Sequence, residues 1–348
     1  MRKFLKTVFR YIPGAAIAIA IAALSKLLEG FEKKLGFEVI GASVIALFIG
    51  MAVNAFYKPN EITSPGIKFT SKKILKFAII LLGASLNITT VVTVGRFSLV
   101  VMLFTLATCF GLGSIIGHFL KLDWKTYSLI NAGTGICGGS AIAAIAPVIE
   151  ASDLSIAYGI SATFLFDTVM VVVFPLLGRA MGLSDAAFGL WAGTAVNDTS
   201  SVVATGYAFS EAAGDFATMV KLTRTLSIIP AVLVFAAISL QIKRRENSDA
   251  TVKVSIKKIF PWFIAAFLVM SGLTSLGLIP AALAAFLKSA SKFLMVAALA
   301  AIGLNTDFKK LCKSGARPMI HGFIVSLLVV LVAIGVEYMI GIAPGGTL

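Results

Sequence analysis

Two long apolar segments of the chain are interrupted in the middle by polar, glycine-rich sequence. Residues 131–140 read NAGTGICGGS, and residues 192–201 read AGTAVNDTSS. Each interruption lies inside a stretch long enough to cross a bilayer, which takes about 20 mostly apolar residues. At membrane depth a broken helix is tolerated only where protein or a watery cavity shields the freed backbone groups. Many secondary transporters build their substrate site from such breaks.

The composition places almost the whole chain in the membrane. Of 348 residues, 58% are hydrophobic and only 13% are charged, whereas soluble domains carry about 25% charged residues. We therefore expect an all-α polytopic membrane protein with a single membrane domain over residues 1–348. The net charge of +14 comes from basic residues in short loops, which indicates orientation and contact with membrane lipid and gives no reason to expect a nucleic-acid partner.

Hydropathy and loop charge predict about eleven transmembrane helices. The predicted spans are 11–28, 38–56, 74–94, 98–119, 127–149, 154–178, 186–209, 218–240, 259–277, 281–304 and 319–342. Far more Lys and Arg residues fall on one side than on the other, which predicts a cytoplasmic N-terminus and an external C-terminus in a bacterial inner membrane. The first apolar run lacks a small-residue cleavage site, so we interpret it as a span and not as a signal peptide.

Weak internal repeats accompany the two breaks. At an offset of 60 residues, Gly133 and Thr134 match Gly193 and Thr194. One full predicted span separates the segments, so we expect the two breaks to run in the same direction and not to be symmetry mates. Inverted five-helix repeats with broken crossing helices are predicted at 38–178 and 186–342, with 1–30 as a peripheral first helix. Span 5 then pairs with span 10, which we expect to be interrupted at 288–292 and at 303–307.

The first break predicts an anion site. A helix that stops among the glycines exposes the N–H groups of a following half-helix, expected from Ser140 to Ile149, and such ends attract anions. Carbonyl groups of the preceding half-helix could bind a cation. The alternative is close helix packing through small residues. The substrate-binding candidates here are Asn131, Gly133, Thr134, Gly135, Cys137, Gly138, Gly139 and Ser140.

The second break carries an acid at membrane depth. Asp198 is costly there unless it is paired, protonated or facing water, which favours a coupling-ion role for Asp198 and Asn197. Thr199 and Ser200 are added to the substrate-binding candidates, because their amides open the next half-helix. The alternative is a structural N-cap. Asp167, inside span 6, is a second coupling candidate, or else a buried hydrogen-bonding group.

Three basic residues have two interpretations each. Lys221 and Arg224 flank the outer mouth of a pathway, or they snorkel to the outer interface. Lys292 shares a helix face with Lys288. It neutralises an anionic substrate if span 10 crosses span 5, and it is an interface residue otherwise.

Enzymatic chemistry finds little support in the sequence. His321, Cys137 and Ser140 are suitable residue types for a hydrolase, but nothing in their spacing brings them together. The three cysteines and two histidines form no disulfide framework or metal motif. We expect no catalytic residues, no metal and no cofactor, apart from a coupling proton or sodium ion.

Several stretches resemble one known family. Residues 131–148, 193–204, 220–225, 297–304 and 315–318 resemble the YeiH-like bacterial inner-membrane proteins, which are named for sulfate export. The resemblance implies a multi-pass plasma-membrane protein with distant kinship to the cation/proton antiporter and bile-acid transporter group. In that group two inverted five-helix repeats form a panel and a core in which unwound helices cross. The family name does not establish a substrate.

The sequence thus predicts an ion-coupled secondary transporter, working as an exporter, for a small anion such as sulfate or an organic sulfur acid. A cation/proton antiporter that uses the same acids is the first alternative, and an intramembrane enzyme or sensor is the second. The expected partners are the small anion and membrane lipid, with a homodimer left open.

Overall fold

A computed structural model of the chain describes residues 2–34, 42–245, 260–305 and 315–343. These residues are helical with short connections, and they contain no strand. In chain order the α-helices are α1 Arg2–Lys34, α2 Ala42–Phe56, α3 Ser64–Phe69, α4 Leu75–Leu82, α5 Ile88–Ala107, α6 Gly113–Phe119, α7 Trp124–Ala132, α8 Gly139–Ile145, α9 Asp153–Ala180, α10 Asp185–Ala195, α11 Thr199–Phe209, α12 Glu211–Thr225, α13 Ile228–Arg245, α14 Trp262–Ser275, α15 Ala281–Asn305 and α16 Ala316–Met339. π-Helical turns at Thr70–Ile74, Thr108–Leu112 and Gly133–Cys137 join α3 to α4, α5 to α6, and α7 to the break before α8.

Six helical stretches among the described residues are long and apolar enough to cross a membrane. They are Arg10–Phe31, Ile88–Phe119, Asp153–Ala180, Glu211–Ile242, Ala281–Asn305 and Ala316–Met339. A multi-pass helical membrane protein is therefore confirmed, while the count of eleven spans stays a prediction. The predicted boundary between 74–94 and 98–119 was wrong: the chain turns at Leu86, and the Asn87 side chain accepts the Thr89 N–H at 2.9 Å to begin α5.

The chain divides into two compact units. Unit 1 comprises Met1–Val92 with Trp262–Lys309, and unit 2 comprises Thr93–Pro261 with Lys310–Leu348. The helices of unit 1 pack so closely that their backbones are in contact. A Cβ added to Gly50 on α2 would lie 2.4 Å from the Ala300 carbonyl oxygen of α15, and one added to Gly14 on α1 would lie 2.0 Å from that of Thr63. Small residues are what permit such close helix approach in membranes.

Helix α15 does not break where the sequence suggested. It is one continuous α-helix from Ala281 to Asn305, so the interruption expected at 288–292 was wrong. Helix-compatible residues such as Ala and Leu surround the two lysines, and the isolated Ser residues do not stop the helix. The second expected interruption is helical as far as Asn305, and its last two residues, Thr306 and Asp307, lie outside the described residues. The five-helix repeats at 38–178 and 186–342 stay a prediction.

In unit 2, α7 and α8 form a hairpin that returns to the end at which it began. We call residues 124–150 hairpin 1. At its base the Lys125 ammonium donates to the Glu150 carbonyl oxygen at 3.0 Å. Deeper in the hairpin, a Cβ on Gly133 would lie 2.9 Å from a side-chain carbon of Ile142. The residue numbers rise along one arm as they fall along the other, so the arms are antiparallel.

Helix α9 runs parallel to the first arm of hairpin 1. The Thr126 hydroxyl donates to that of Ser155 at 2.8 Å, and a Cβ on Gly133 would lie 2.7 Å from the Thr163 methyl group. Both contacts join residues that are about 30 positions apart in the sequence, so the residue numbers rise in the same direction along α7 and α9. The chain therefore enters unit 2 at one end, returns to it, and only then passes through as α9.

Helices α10 and α11 repeat this arrangement from the opposite end. We call residues 185–210 hairpin 2. The Ser210 hydroxyl donates to the Asp185 carboxylate at 2.6 Å, and the Phe188 and Phe209 rings stack at 4.0 Å. Helix α12 then runs parallel to α10, because Gly189 meets Phe216 and Gly193 meets Val220.

The two hairpins are therefore inverted with respect to each other. The expectation that segments 127–149 and 186–209 cross the membrane in the same direction was wrong, because each is re-entrant and α9 carries the chain from one end to the other between them. Hairpin 1 followed by α9, and hairpin 2 followed by α12 and α13, form two inverted copies of one motif. The offset of 60 residues in the sequence corresponds to this pair.

Candidate functional site

The tips of the two hairpins meet inside unit 2. A Cβ added to Gly138 would lie 2.9 Å from the Asp198 Cβ and 3.1 Å from its Cα. Asp167 contacts the same region from the middle of α9, a helix of 28 residues and therefore about 42 Å in length. The tips thus meet about halfway along a helix long enough to cross a bilayer. We call this contact and its flanking residues the crossing.

Hairpin 1 breaks because of its glycines. Gly138 has φ +60° and ψ −132°, a conformation that residues with a Cβ rarely adopt. Its N–H closes the π-helical turn by donating to the Gly133 carbonyl at 2.8 Å. Helix α8 then starts at Gly139, one residue before the predicted Ser140, and it ends at Ile145 instead of Ile149.

Hairpin 2 breaks at an extended residue followed by a cap. Val196 is extended, and Asp198 is the N-cap of α11. The Asp198 carboxylate accepts the Ser200 N–H at 2.9 Å and also accepts the Ser200 hydroxyl. Asp198 is therefore the N-cap of α11, which was the structural alternative predicted from the sequence. Its carboxylate accepts a backbone N–H at the start of the helix that has no partner within the helix.

Asp167 holds the tip of hairpin 2 against α9. Its two carboxylate oxygens accept the backbone N–H of Asn197 at 2.9 Å and that of Asp198 at 2.8 Å. The Asn197 side-chain amide donates to the Ser326 hydroxyl of α16 at 3.4 Å. The tip is thus anchored to two neighbouring helices through groups that are all buried except the half-buried Asp198.

Two buried cations of α12 close the crossing. The Lys221 ammonium donates to the carbonyl oxygens of Ile136 at 2.9 Å and Val196 at 3.0 Å. The Arg224 guanidinium donates through Nε to Gly135 at 2.7 Å, and through its terminal nitrogens to Thr134, Thr194 and Val196. Both side chains are 0% exposed. The accepting carbonyls belong to the ends of the two first arms, where intrahelical donors run out.

The same two cations donate hydrogen bonds to equivalent backbone positions in the two hairpins. At the offset of 60 residues, Thr134 corresponds to Thr194, and both carbonyls accept from Arg224. Ile136 corresponds to Val196, and both accept from Lys221. The carbonyls carry the negative ends of two half-helix dipoles. One ammonium and one guanidinium therefore serve two inverted copies of the same backbone feature.

The sequence placed Lys221 and Arg224 at an outer mouth or an interface, and both interpretations were wrong. They lie in the first turns of the predicted span 218–240. In the structure α12 begins at Glu211 and continues into α13, so that Glu211–Ile242 is one membrane-length stretch. The signal that could have found them is their three-residue spacing beside Thr218 and Thr225, which puts four polar groups close together on one buried stretch of the helix.

The described polar residues at the tips differ in their access to solvent. Ser140 is exposed, and Gly139, Asp198, Thr199 and Ser200 are half-buried. Next to the tips, the buried Thr134 hydroxyl and Asn197 side-chain oxygen have no hydrogen-bond partner among the described residues. The same is true of Nδ1 of His321, whose Nε2 contacts Asn131. The tips of both hairpins are therefore partly exposed, with unsatisfied hydrogen-bonding groups buried close to them.

The remaining candidates lie at or away from the crossing. Asn131 contacts His321 Nε2 on α16 at 3.0 Å and Ser114 on α6 at 3.4 Å, a buried link between helices. Cys137 is buried beside Gly138 as a free thiol. Lys292 lies half-buried on α15 of unit 1, so unit 2 does not contain it. No group of three His, Cys, Asp or Glu residues that could hold a metal ion occurs in the part of the chain that the structure describes.

Curated relatives match nearly the whole chain. A UPF0324 membrane protein of Clostridium tetani is 51% identical, covering 95% of this chain and 99% of that protein. One of Streptococcus mutans is 44% identical, covering 88% and 92%. One of Streptococcus pyogenes is 41% identical, covering 97% and 100%. These names say only that the relatives are membrane proteins, so the kinship with sulfate exporters stays a prediction.

A solved structure gives a weaker similarity. The sodium proton antiporter MjNhaP1 from Methanocaldococcus jannaschii aligns over 97% of this chain with 15% identity and a TM-score of 0.30. That score is too low to carry an argument about fold or mechanism. The sequence itself matches the family described as Conserved hypothetical protein 698 over residues 13–322. The chain therefore belongs to that family of membrane proteins.

Proposed function

We propose that this protein is an ion-coupled secondary transporter that exports a small anion, such as sulfate or an organic sulfur acid, by alternating access. The substrate site lies at the crossing, about halfway along α9. The single observation that carries the proposal is that two inverted re-entrant hairpins meet there at Gly138 and Asp198. Broken backbone at membrane depth is retained where it lines a binding site.

Charge at the crossing supports an anionic substrate. Lys221 and Arg224 are buried among backbone carbonyls, and they compensate the negative ends of the entering half-helices. The helix starts at Gly139 and Thr199 face the same region from the other arms. An anion that reaches the tips meets backbone N–H groups, and the buried basic groups of Lys221 and Arg224 behind them add to the positive potential there.

The substrate-binding residues that we propose are those of the two tips that remain accessible, namely Gly139, Ser140, Thr199 and Ser200. The other candidate residues have roles that follow from their positions. Gly133, Thr134, Gly135 and Cys137 shape hairpin 1 behind the tip, Gly138 forms the tip itself, and Asn131 links the hairpin to α16. Asp198, with Asn197 and Asp167, stays our proposal for the coupling ion, a proton or sodium. Of these three, Asp198 is the most exposed.

A cation/proton antiporter is the second candidate, and one observation favours it. Two carboxylates, Asp167 and Asp198, lie at membrane depth beside the crossing, and such acids often mark ion pathways. Both are already engaged, however, since Asp167 accepts two backbone N–H groups and Asp198 caps α11. An intramembrane hydrolase has less support, because no hydrogen bond in the described structure joins Ser140 to His321.

A thermal-shift series on the purified protein tests the proposal. We expect sulfate or ethanesulfonate to raise the melting temperature relative to chloride at equal ionic strength, since a ligand that binds only the folded state must stabilise it. In proteoliposomes, an imposed pH gradient should drive uptake of radiolabelled sulfate in the wild type and not in Asp198→Asn. If no small anion stabilises the protein and none is transported, the proposed function is wrong.

A further inference from the structure

We propose that Lys221 and Arg224 are tethered cations that take the place of an alkali cation at the crossing, so that the transporter works without sodium. The inference rests on the proposed function and narrows its coupling ion. The carbonyl-rich C-terminal ends of broken membrane helices are where transporters of other folds bind sodium. In this protein the equivalent carbonyls are already filled by side chains of α12.

Carbonyl occupancy is the first step of the argument. A sodium ion at the crossing would need oxygen ligands from the ends of α7 and α10. Five carbonyls at these ends, those of Thr134, Gly135, Ile136, Thr194 and Val196, each accept a hydrogen bond from Lys221 or Arg224. Val196 accepts from both. Each cation also bridges hairpin 1 to hairpin 2, as a shared metal ion would.

Electrostatics give the second step. The Arg224 guanidinium is always charged and completely buried, so it opposes a further cation, and Lys221 adds to this repulsion in its ammonium form. The carboxylates of Asp167 and Asp198 counter the repulsion, but hydrogen-bond donors of hairpin 2 already engage both of them. The two unpartnered side-chain oxygens near the crossing do not escape this repulsion. Thr134 is bound through its own carbonyl to Arg224, and Asn197 directly follows Val196. An alkali ion at either oxygen would lie close to a fixed positive charge.

Melting curves at constant pH and constant chloride test the inference. The wild type is measured in NaCl, KCl and choline chloride at equal ionic strength, with binding of radioactive sodium as a second readout. We expect the same melting temperature in all three salts and no saturable sodium binding. A saturable, sodium-specific rise of about 2 °C or more, competed by lithium, would overturn the inference.

Lys221→Gln provides a gain-of-binding test. The substitution removes the ammonium, so the Ile136 carbonyl loses its cationic donor and the Val196 carbonyl keeps only its hydrogen bond from Arg224. We expect its melting temperature to become sodium-dependent, while Lys221→Arg, which keeps the charge, stays indifferent to the salt. A folded Lys221→Gln protein that melts alike in NaCl and choline chloride would contradict a cation site at these carbonyls. If the variant does not fold, the wild-type measurement decides alone.

The outcomes separate this inference from the proposed function. Stabilisation by sodium together with anion transport would contradict the tethered cations and leave the anion transporter standing. If the melting temperature does not depend on sodium, and no anion stabilises the protein or is transported by it, the tethered cations remain supported and the proposed transporter function is contradicted.

Discussion

Gly138 and Asp198 lie in contact at the tips of two hairpins that enter unit 2 from opposite ends. A side chain at position 138 would collide with Asp198 at 2.9 Å. On the other side of each tip, Lys221 and Arg224 bind the backbone of both hairpins. The effects of substitutions at the crossing can therefore be predicted from these contacts.

Gly138→Ala should damage the crossing, while Gly139→Ala should not. The first adds a Cβ that meets Asp198 and forces φ +60° on a non-glycine residue, at a cost of about 1–3 kcal/mol. A Cβ at position 139 meets nothing within 4 Å. Melting temperature and anion-induced stabilisation are measured for both variants. Equal melting temperatures for the two alanine variants would show that the tips are not in contact.

Arg224→Gln should destabilise the protein by about 3–5 kcal/mol, because it leaves several buried carbonyls without donors. Arg96→Gln is the matched control, since Arg96 lies exposed on α5, and we expect a change within about 0.5 kcal/mol. Thermal or denaturant unfolding in one detergent compares the two. A stable Arg224→Gln protein would mean that the guanidinium does not hold the two hairpins together.

Asp167→Asn should loosen the tip of hairpin 2. An asparagine keeps one acceptor oxygen and turns its NH₂ group toward the second backbone N–H, so one of the two hydrogen bonds is lost, at about 1–3 kcal/mol. Hydrogen exchange of the Asn197 and Asp198 amides should become faster. Asp123→Asn, which still caps α7 from an exposed position, should leave these amides unchanged. Unaltered exchange in Asp167→Asn would rule out the anchor.

The sequence located both breaks but not their direction. Consecutive glycines and the run from Asn197 to Ser201 stop a helix for local reasons, which a sequence reveals. A re-entrant hairpin and a simple crossing of 23 or 24 apolar residues have the same composition. Charge counting could not separate them, because Lys and Arg lie only where the chain enters each hairpin, at Lys121 and Lys125 and at Arg179, and none lies where it leaves.

The direction of the hairpins and the positions of Lys221 and Arg224 depend on contacts between residues that are far apart in the sequence. The hydrogen bond from Lys125 to Glu150 joins residues that a crossing helix would have placed at opposite ends of unit 2. Lys221 and Arg224 looked like interface residues because their acceptors lie 25 to 90 positions away in the chain. The match of Gly133 and Thr134 with Gly193 and Thr194 was the one sequence signal of the inverted pair, and the assumed parallel direction led to its rejection.

Cysteine accessibility from the two faces of the membrane tests the central claim that the hairpins are re-entrant and inverted. Single cysteines replace Lys125, Glu150, Asp185 or Ser210 in a protein whose own cysteines are changed to alanine, and an impermeant thiol reagent is applied from each side. We predict that positions 125 and 150 react from one face, and that positions 185 and 210 react from the other. Reaction of positions 125 and 150 from opposite faces would show that the segment crosses the membrane and would contradict the account.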